Sequence, residues 1–421
     1  MLHTIQSEKL GPFGTAMTNA VQACVHCGFC LAACPTYGEL GQEMDTPRGR
    51  IVLMKRVLEN DLPWKAAQPH IDRCLGCLAC EPACPSGVQY RDLINPFRAL
   101  ARSKVGGAKA AELRRGLLSK VLPFPERFRF AARLGRAARR FSGFMPASFK
   151  PMLDLLPTVL PPRKAWPAVT QAQEPRRARV ALLTGCVQQV LDPDINTATI
   201  DVLTRNGVEV VIPQNQTCCG GLAWHTGDLT AAQGFARSNL AAFPKDVDAI
   251  LTNAAGCGST MHEYHLILRG TDQEKRAEAF CRQAMDVSVF LASLRLRPIS
   301  GPANVQRIAY QDACHLAHAQ GVTSEPRQLL RVIPGVELVE PASPHLCCGS
   351  AGTYNLDQPE IAASLGRKKA QAILATGAQL AASGNIGCIN QLRAHLARLG
   401  SALPVRHTMQ VLRDAYTRLG C

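Results

Sequence analysis

A cysteine-rich string occurs twice near the start of this chain: CVHCGFCLAACP at 24–35 and CLGCLACEPACP at 74–85, every cysteine displaced by fifty residues. Both read C-x2-C-x2-C-x3-C-P. Two intervening residues let the backbone curl so that three thiolates wrap one corner of a 4Fe–4S cube. The fourth cysteine, carried off by the following turn, ligates the other cluster in two-cluster proteins. The spacing therefore assigns Cys24, Cys27, Cys30 and Cys84 to one 4Fe–4S cluster, and Cys74, Cys77, Cys80 and Cys34 to a second. Tetrahedral zinc also takes thiolate quartets, but it pairs two C-x2-C knuckles and needs neither the third close cysteine nor the proline.

Between the two strings, Thr46–Pro47 reads as an N-cap and first helical position, followed by IVLMKRVLEN with apolar residues at helical spacing. A helix there makes the module helical instead of a compact β-rich ferredoxin. Beyond it the chain repeats itself again. TGCVQQ (184–189) answers DACHLA (312–317), QTCCGGLAWHTGD (216–228) answers HLCCGSAGTYNLD (345–357), and NAAGCGST (253–260) answers GNIGCINQ (385–392). The cysteine offsets are 128, 129 and 131 residues, so one module is duplicated. ARVALLTG (178–185), VEVVIP (208–213) and VDAILTN (247–253) read as short buried strands, with helices such as NTATIDVLTRNG (196–207) between them. That alternation predicts mostly parallel sheets with the cysteines in loops past strand ends. The expected fold class is α+β multidomain: a mainly helical two-cluster ferredoxin domain over 1–97, a basic helical linker over 98–179, and duplicated α/β cysteine-rich domains over 180–300 and 301–421.

The duplicated module brings Cys186, Cys218, Cys219 and Cys257 into one candidate site and Cys314, Cys347, Cys348 and Cys388 into another. A free cysteine is ordinarily a small buried hydrophobe. Adjacent cysteines followed by glycine, twice, with lone cysteines at matching offsets, point instead to a metal or cluster at one or both sites. Gly220, Gly221 and Gly349 would let backbone approach a bulky inorganic group. His315 reads as a structural neighbour of Cys314, and Cys281 and Cys421, which have no repeat partner, as ordinary thiols.

With 18 cysteines in 421 residues and no apolar core in Met1–Leu10, a secreted disulfide scaffold is a poor reading; metal-bound thiolates in the cytoplasm are a better one. No run approaches the roughly 18–20 apolar residues that span a bilayer. The net charge of +15 sits in residues 98–179, with 19 basic and 4 acidic side chains; the remainder is neutral. There, FPERFRFAARLGRAARRFSGF (124–144) carries Arg127, Arg133, Arg136, Arg139 and Arg140 among phenylalanines, beside the apolar stretch 145–160. It reads either as a solvated helix face or as a contact helix for an anionic membrane or a partner subunit, and no nucleic-acid motif accompanies it. There is no G-x-G-x-x-G, P-loop, nucleophile elbow or H-E-x-x-H, so a chain like this moves electrons singly and leaves substrate oxidation to a partner.

CVHCGFCLAACPTY (24–37), DTPRGRIVLMK (45–55), RCLGCLACEPACPSGVQY (73–90), CHLAHAQGV (314–322) and CCGSAGTYNL (347–356) resemble the iron–sulfur subunit of bacterial glycolate oxidase (glycolate dehydrogenase) along nearly the whole chain. The resemblance implies an electron-transfer subunit, itself without a catalytic residue, in a hetero-oligomer. FAD-containing partner subunits would oxidise glycolate to glyoxylate, with D-lactate as a second substrate. The electrons would go to a membrane acceptor, a quinone, at the cytoplasmic face of the inner membrane. The duplicated module resembles the cysteine-rich CCG domains of heterodisulfide reductases, whose C…CC…CxxC pattern holds a non-cubane cluster. Here the last pair is broken, because Gly-Ser-Thr260 follows Cys257 and Ile-Asn-Gln391 follows Cys388. Four thiols per repeat remain, enough for a cubane cluster or a zinc ion, or the repeats serve as docking surfaces. The iron–sulfur subunit of anaerobic glycerol-3-phosphate dehydrogenase shares this architecture. An iron–sulfur sensor and a stand-alone CCG-domain thiol–disulfide reductase are the rivals of other classes.

Overall fold

The structure, a computed structural model, describes residues 1–106, 109–139, 156–157, 159–299 and 305–417. Arg140, Cys421 and most of the stretch 145–160 lie outside the described residues. The first module is helical: α1 (Gly14–Ala23), α2 (Pro35–Leu40), α3 (Pro47–Leu58), α4 (Trp64–Asp72) and α5 (Arg91–Val105). The N-cap expected for α3 is present, Thr46 Oγ1 accepting the Gly49 N–H at 2.9 Å with Pro47 in the first turn. Its apolar face, Ile51, Met54, Val57 and Leu58, is buried. Trp64 of α4 stacks on Phe97 of α5 at 4.9 Å between ring centroids.

The segment 98–179 supplies α6 (Lys109–Val121), α7 (Pro125–Ala138) and a two-residue edge strand, β1 (Val169–Thr170). The first α/β repeat adds β2 (Ala178–Leu183), β3 (Val208–Val211), β4 (Ala249–Thr252) and β5 (Ala284–Asp286), in the order β1-β3-β2-β4-β5. Only β1 runs antiparallel. The second repeat contributes β6 (Gln306–Gln311), β7 (Val336–Val339), β8 (Leu380–Ser383) and β9 (Val405–His407), all parallel, in the order β7-β6-β8-β9. With β1 set aside the two orders coincide, as a duplicated module requires. The central strands are apolar along their length because helices cover both faces: β4 and β8 are buried at every residue.

The modules share cores. Val180 and Val208 of the first sheet pack in one cluster with Ile308 and Leu380 of the second. Phe13, Met17 and Phe97 of the helical module pack with Trp224 and Leu266 of the first repeat. Continuous apolar packing of this kind fixes the helical module against the repeats.

Candidate metal centres and the junction between modules

Each cysteine string forms a loop leaving a helix: Cys24 closes α1 and Cys34 opens α2, with Pro35 in its first turn. In both loops the backbone turns left-handed at the same two register positions, His26 (φ 58°) and Gly28 (φ 88°) in one, Gly76 (φ 64°) and Leu78 (φ 58°) in the other. Non-glycine residues seldom adopt this conformation, so its recurrence at His26 and Leu78 marks a backbone held in a tight curl. Cys24, Cys27, Cys30 and Cys84 line a cavity of about 30 Å³ together with Cys80. Cys34, Cys74, Cys77 and Cys80 line a second of about 20 Å³. In each cavity the three cysteines of one string meet the fourth cysteine of the other, a donor set suited to an iron–sulfur cluster.

The surroundings of the second cavity are cationic. Arg50, only 1% exposed, points Nη1 at Cys34 Sγ (3.9 Å) and donates from Nη2 to Thr36 Oγ1 (3.1 Å). It also donates from Nε to the His70 carbonyl at 2.7 Å and pairs with the fully buried Asp45 at 3.4 Å. Burial opposes the charge on Arg50, yet Cys74, Tyr90, Cys34 and Asp45 outweigh it and raise its pKa. Burial likewise pushes the Cys74 thiol up, but Arg50 and Arg98 hold it below its ordinary value. Gly76 N–H at 3.4 Å and Tyr90 O–H at 3.9 Å also point at Cys74 Sγ. Such donors stabilise a negatively charged sulfur site.

The CCG cysteines form two linked rows of sulfur. Cys186 Sγ lies 3.4 Å from Cys218 Sγ, and Cys219 accepts from Cys218 and Cys257. In the second repeat Cys314 Sγ lies 3.9 Å from Cys347 Sγ, which also accepts from Cys348; Cys348 in turn meets Cys388. One thiol per row is thereby held low, Cys219 and Cys347, while their neighbours are pushed up by the same bonds and by burial. Among the described residues no three His, Cys, Asp or Glu side chains converge on the position of a single ion, so the rows are not preformed tetrahedra.

The glycines after each pair bring backbone close both to the sulfurs and to the following helix. Gly220 and Gly349 both sit at φ 83°, and a Cβ would lie 3.4 Å from Ala232 O in one repeat and 2.5 Å from Ala362 O in the other. They permit close packing of the following helix, and their amides point at the Cys218 and Cys347 sulfurs at 3.4 Å.

The second cysteine loop is bonded into the second repeat. His315 Nε2 meets the Gly76 carbonyl at 3.0 Å, His318 Nδ1 the Cys77 carbonyl at 3.1 Å, and Tyr354 O–H the Arg73 carbonyl at 2.9 Å. Leu75, Cys77 and Ala79 share an apolar cluster with Cys347 and Tyr354. Arg98 of α5 donates to the Cys74 and Ile71 carbonyls at 2.6 and 3.0 Å, and to the His225 carbonyl of the first repeat at 3.2 Å. The first loop is open by contrast: Cys27 is exposed between Val25 (65% exposed) and Phe29 (68%).

Comparison with known proteins agrees with this architecture. Residues 20–88 match a family described as 4Fe-4S dicluster domain, and residues 180–262 and 308–393 each match one described as cysteine-rich domain. The chain is 36% identical to the probable glycolate oxidase iron-sulfur subunit of Bacillus subtilis, over 93% of each protein. It is equally 36% identical to the glycolate oxidase iron-sulfur subunit of Escherichia coli, over 94% of each. The chain belongs to the glycolate oxidase iron–sulfur subunit family. More distant is lactate utilization protein A of Oceanobacillus iheyensis, 28% identical over 56% of this chain and 96% of that protein.

For a glycolate oxidase iron–sulfur subunit, the sequence alone locates the cysteines and leaves out their setting. Arg50, Arg98, His318 and Tyr354 carry no spacing signal, since each matters through a tertiary contact with a cysteine loop. His315 has the structural role expected of it, as a bond to Gly76. Cys281 behaves as an ordinary thiol, its Sγ donating to the Met261 carbonyl at 3.1 Å and its pKa pushed up to about 11 by burial.

Proposed function

We propose that this chain passes electrons singly from flavin-bearing subunits, which oxidise glycolate or the related D-lactate, to a quinone acceptor at the membrane. The observation that carries this reading is the pair of cysteine-lined cavities sharing Cys80, one beside the open first loop and one beside the second repeat. Cys24, Cys27, Cys30 and Cys84 would hold one 4Fe–4S cluster, and Cys34, Cys74, Cys77 and Cys80 the other. Bound there, such clusters supply reversible one-electron storage.

The chain's own residues set the ends of the route. Cys27, flanked by exposed Val25 and Phe29, offers an apolar docking surface at which a flavin subunit can approach within electron-transfer reach. At the other end, His315 and His318 clamp Gly76 and Cys77 to the helix that begins at Cys314, so the second quartet continues the route. A further metal centre, cluster or zinc, is read onto that quartet. Among the described residues no helix is long and apolar enough to cross a membrane. Peripheral attachment at the cytoplasmic face through α7 supplies the meeting with a lipid-soluble acceptor.

The test is anaerobic reconstitution with the flavin subunits. Glycolate should bleach the iron–sulfur absorbance of this chain only when those subunits are present. Reduced flavin beside an unbleached chain would sink the reading.

A further inference from the structure

One unexplained feature is a cavity of about 100 Å³ where the three modules meet. Its walls include Ile71 and Phe97 of the helical module, Leu222 and His225 of the first repeat, and Ala351 of the second, with Cys74 in the lining. Most of that surface is apolar, though Asp72, Arg98, Arg102, Arg115 and Asp357 also line it, and His225 presents a ring nitrogen to it. Asn95 Nδ2 donates to Glu263 at 3.0 Å, which turns Asn95 Oδ1 toward His225 Nδ1 at 3.4 Å. That oxygen only accepts, so Nδ1 carries the proton and Nε2 keeps a lone pair. Nε2 is buried and has no partner among the described residues. A buried acceptor left bare costs free energy unless a ligand supplies a donor.

A route leads from this cavity to the basic segment. A smaller cavity shares Arg102, Arg115, Leu222, Thr226 and Thr353 with it and continues to Leu118 of α6 and Phe235. The Phe235 ring lies 6.2 Å from Phe124, which opens α7. Phe130 and Leu134 of α7 then stand exposed, at 64% and 57%.

We infer that this junction cavity binds a planar, apolar two-electron acceptor of the quinone class, entering along α6 and α7, with His225 Nε2 accepting a hydrogen bond from the hydroxyl formed on reduction. The inference rests on the electron-transfer reading above and names where that transfer ends. The chemistry balances: two electrons, delivered one at a time from the Cys74 side and drawn from the flavin-borne reductant, join two protons from water. Each quinone carbonyl becomes a hydroxyl, and the hydroxide left in water is neutralised by the two protons released as the flavin-borne reductant is oxidised. Phe97 and Leu222 line this space, with Cys74 at one wall and His315, the neighbour of Cys314, at another, so an acceptor here lies beside both parts of the route.

The test uses the full chain, purified anaerobically and left oxidised, so that binding is read without any electron supply. The fluorescence of 2-heptyl-4-hydroxyquinoline N-oxide should be quenched saturably at one site per chain, and menadione should reverse the quench. Leu222→Trp fills the cavity and should abolish binding. His225→Phe keeps the bulk, removes the acceptor, and should weaken binding about tenfold, as loss of one buried hydrogen bond does. Iron content and the EPR spectrum of each variant establish that it is folded. Absence of saturable quenching by the unaltered chain, or undiminished affinity in both folded variants, overturns the inference. If the probe fails to bind while glycolate still bleaches the reconstituted chain, the cavity assignment falls and the electron-transfer reading stands. If the probe binds but the chain is never reduced, the reading itself falls.

Discussion

Lys369 occupies, in the second repeat, the place that Asn239 takes in the first. Each lies seven residues beyond the alanine, Ala362 or Ala232, that backs the glycine of its CCG sequence. Asn239 is neutral and bonds the Cys218 carbonyl at 3.0 Å and the Thr217 N–H at 2.9 Å. Lys369 is fully buried, and its ammonium donates to the Ser343 and Pro344 carbonyls at 3.1 and 2.8 Å. Burial pulls its pKa down, while Cys348, Asp312, Cys347 and Cys388 pull it back up. A buried cation facing thiols is favourable where those thiols are anionic and costly where they are neutral. The second repeat thus has a buried cation where the first has a neutral amide, which would favour a negatively charged centre there.

Lys369→Met tests that difference. If the second quartet holds an anionic centre, removing the cation leaves that buried charge uncompensated, at about 3–5 kcal/mol, so a metal-loaded variant should unfold at markedly lower denaturant and lose metal from the second repeat. Asn239→Met should leave the metal content of the second repeat unchanged. Denaturant titration and metal analysis of both variants check this. A Lys369→Met chain that keeps its metal and gains stability would show the second quartet to be uncharged.

The crossed arrangement of the ferredoxin cysteines gives a sharper expectation. Cys34→Ser and Cys84→Ser each remove a cysteine remote in sequence from the three it meets in its cavity. Each variant should lose about four irons, the content of one cubane cluster. The losses should fall on opposite clusters: Cys34→Ser on the one facing Arg50 and Cys74, Cys84→Ser on the one beside exposed Cys27. EPR of the reduced variants should show one isolated signal in each, with different g-values. If Cys34→Ser and Cys24→Ser instead gave the same spectrum, the crossing would be wrong.

The parts that were legible in the sequence share a physical origin. Cysteine spacing reports on loop closure around a common centre, which is local, so the two strings can be read directly. Thr46–Pro47 and the apolar periodicity of 51–58 are local too, and α3 begins where they place it. Strand positions were legible because parallel strands buried on both faces are continuously apolar, as at Val180–Leu183. What could not be read is anything formed between modules. Arg98 looks like any helical arginine, and only the fold brings it to the Cys74 and His225 carbonyls. The packing behind Gly349 could not be read for the same reason: the Ala362 carbonyl there belongs to a helix ten residues further on.

Glu263 yields a pH dependence with a definite sign. It is buried, with Oε2 accepting from Trp224 Nε1 at 2.5 Å and Asn95 Nδ2 at 3.0 Å, and Oε1 unpartnered among the described residues. Burial raises its pKa to about 7, against the opposing effects of Trp224, Arg91 and Asn95. The folded chain then binds a proton that the unfolded chain releases near pH 4.5, so Glu263 costs stability progressively as pH rises from there to about 7. Glu263→Gln keeps the two acceptor bonds and cannot ionise. It should match the unaltered chain near pH 5 and exceed it at pH 8 by on the order of 2–3 kcal/mol. Denaturant unfolding at the two pH values measures the difference, and a variant less stable at pH 8 would mean that the carboxylate is favourably paired.

The amphipathic helix α7 buries one face and exposes apolar and basic side chains together on the other, as a membrane contact requires. Phe128 and Ala132 face inward, and Arg129 is fixed by the Pro161 and Gln189 carbonyls at 2.7 and 3.2 Å, which leaves it no part in an outer surface. Phe130 and Leu134 face outward near Arg127 and Arg133, so apolar and cationic groups share one exposed strip. Insertion of two such side chains beside arginines favours an anionic bilayer over a neutral one, because each basic residue near the surface contributes about 1 kcal/mol only where the lipid is charged. The full chain should therefore float with phosphatidylglycerol vesicles and stay in solution with phosphatidylcholine vesicles. Phe130→Ser with Leu134→Ser should reduce flotation at every salt concentration. Added salt should weaken the unaltered chain in proportion to its arginine contacts, by screening over roughly a Debye length. If the double variant floats as well as the unaltered chain, the exposed strip faces a protein partner, and loss of flavin-subunit binding in a pull-down of the same variant would identify it.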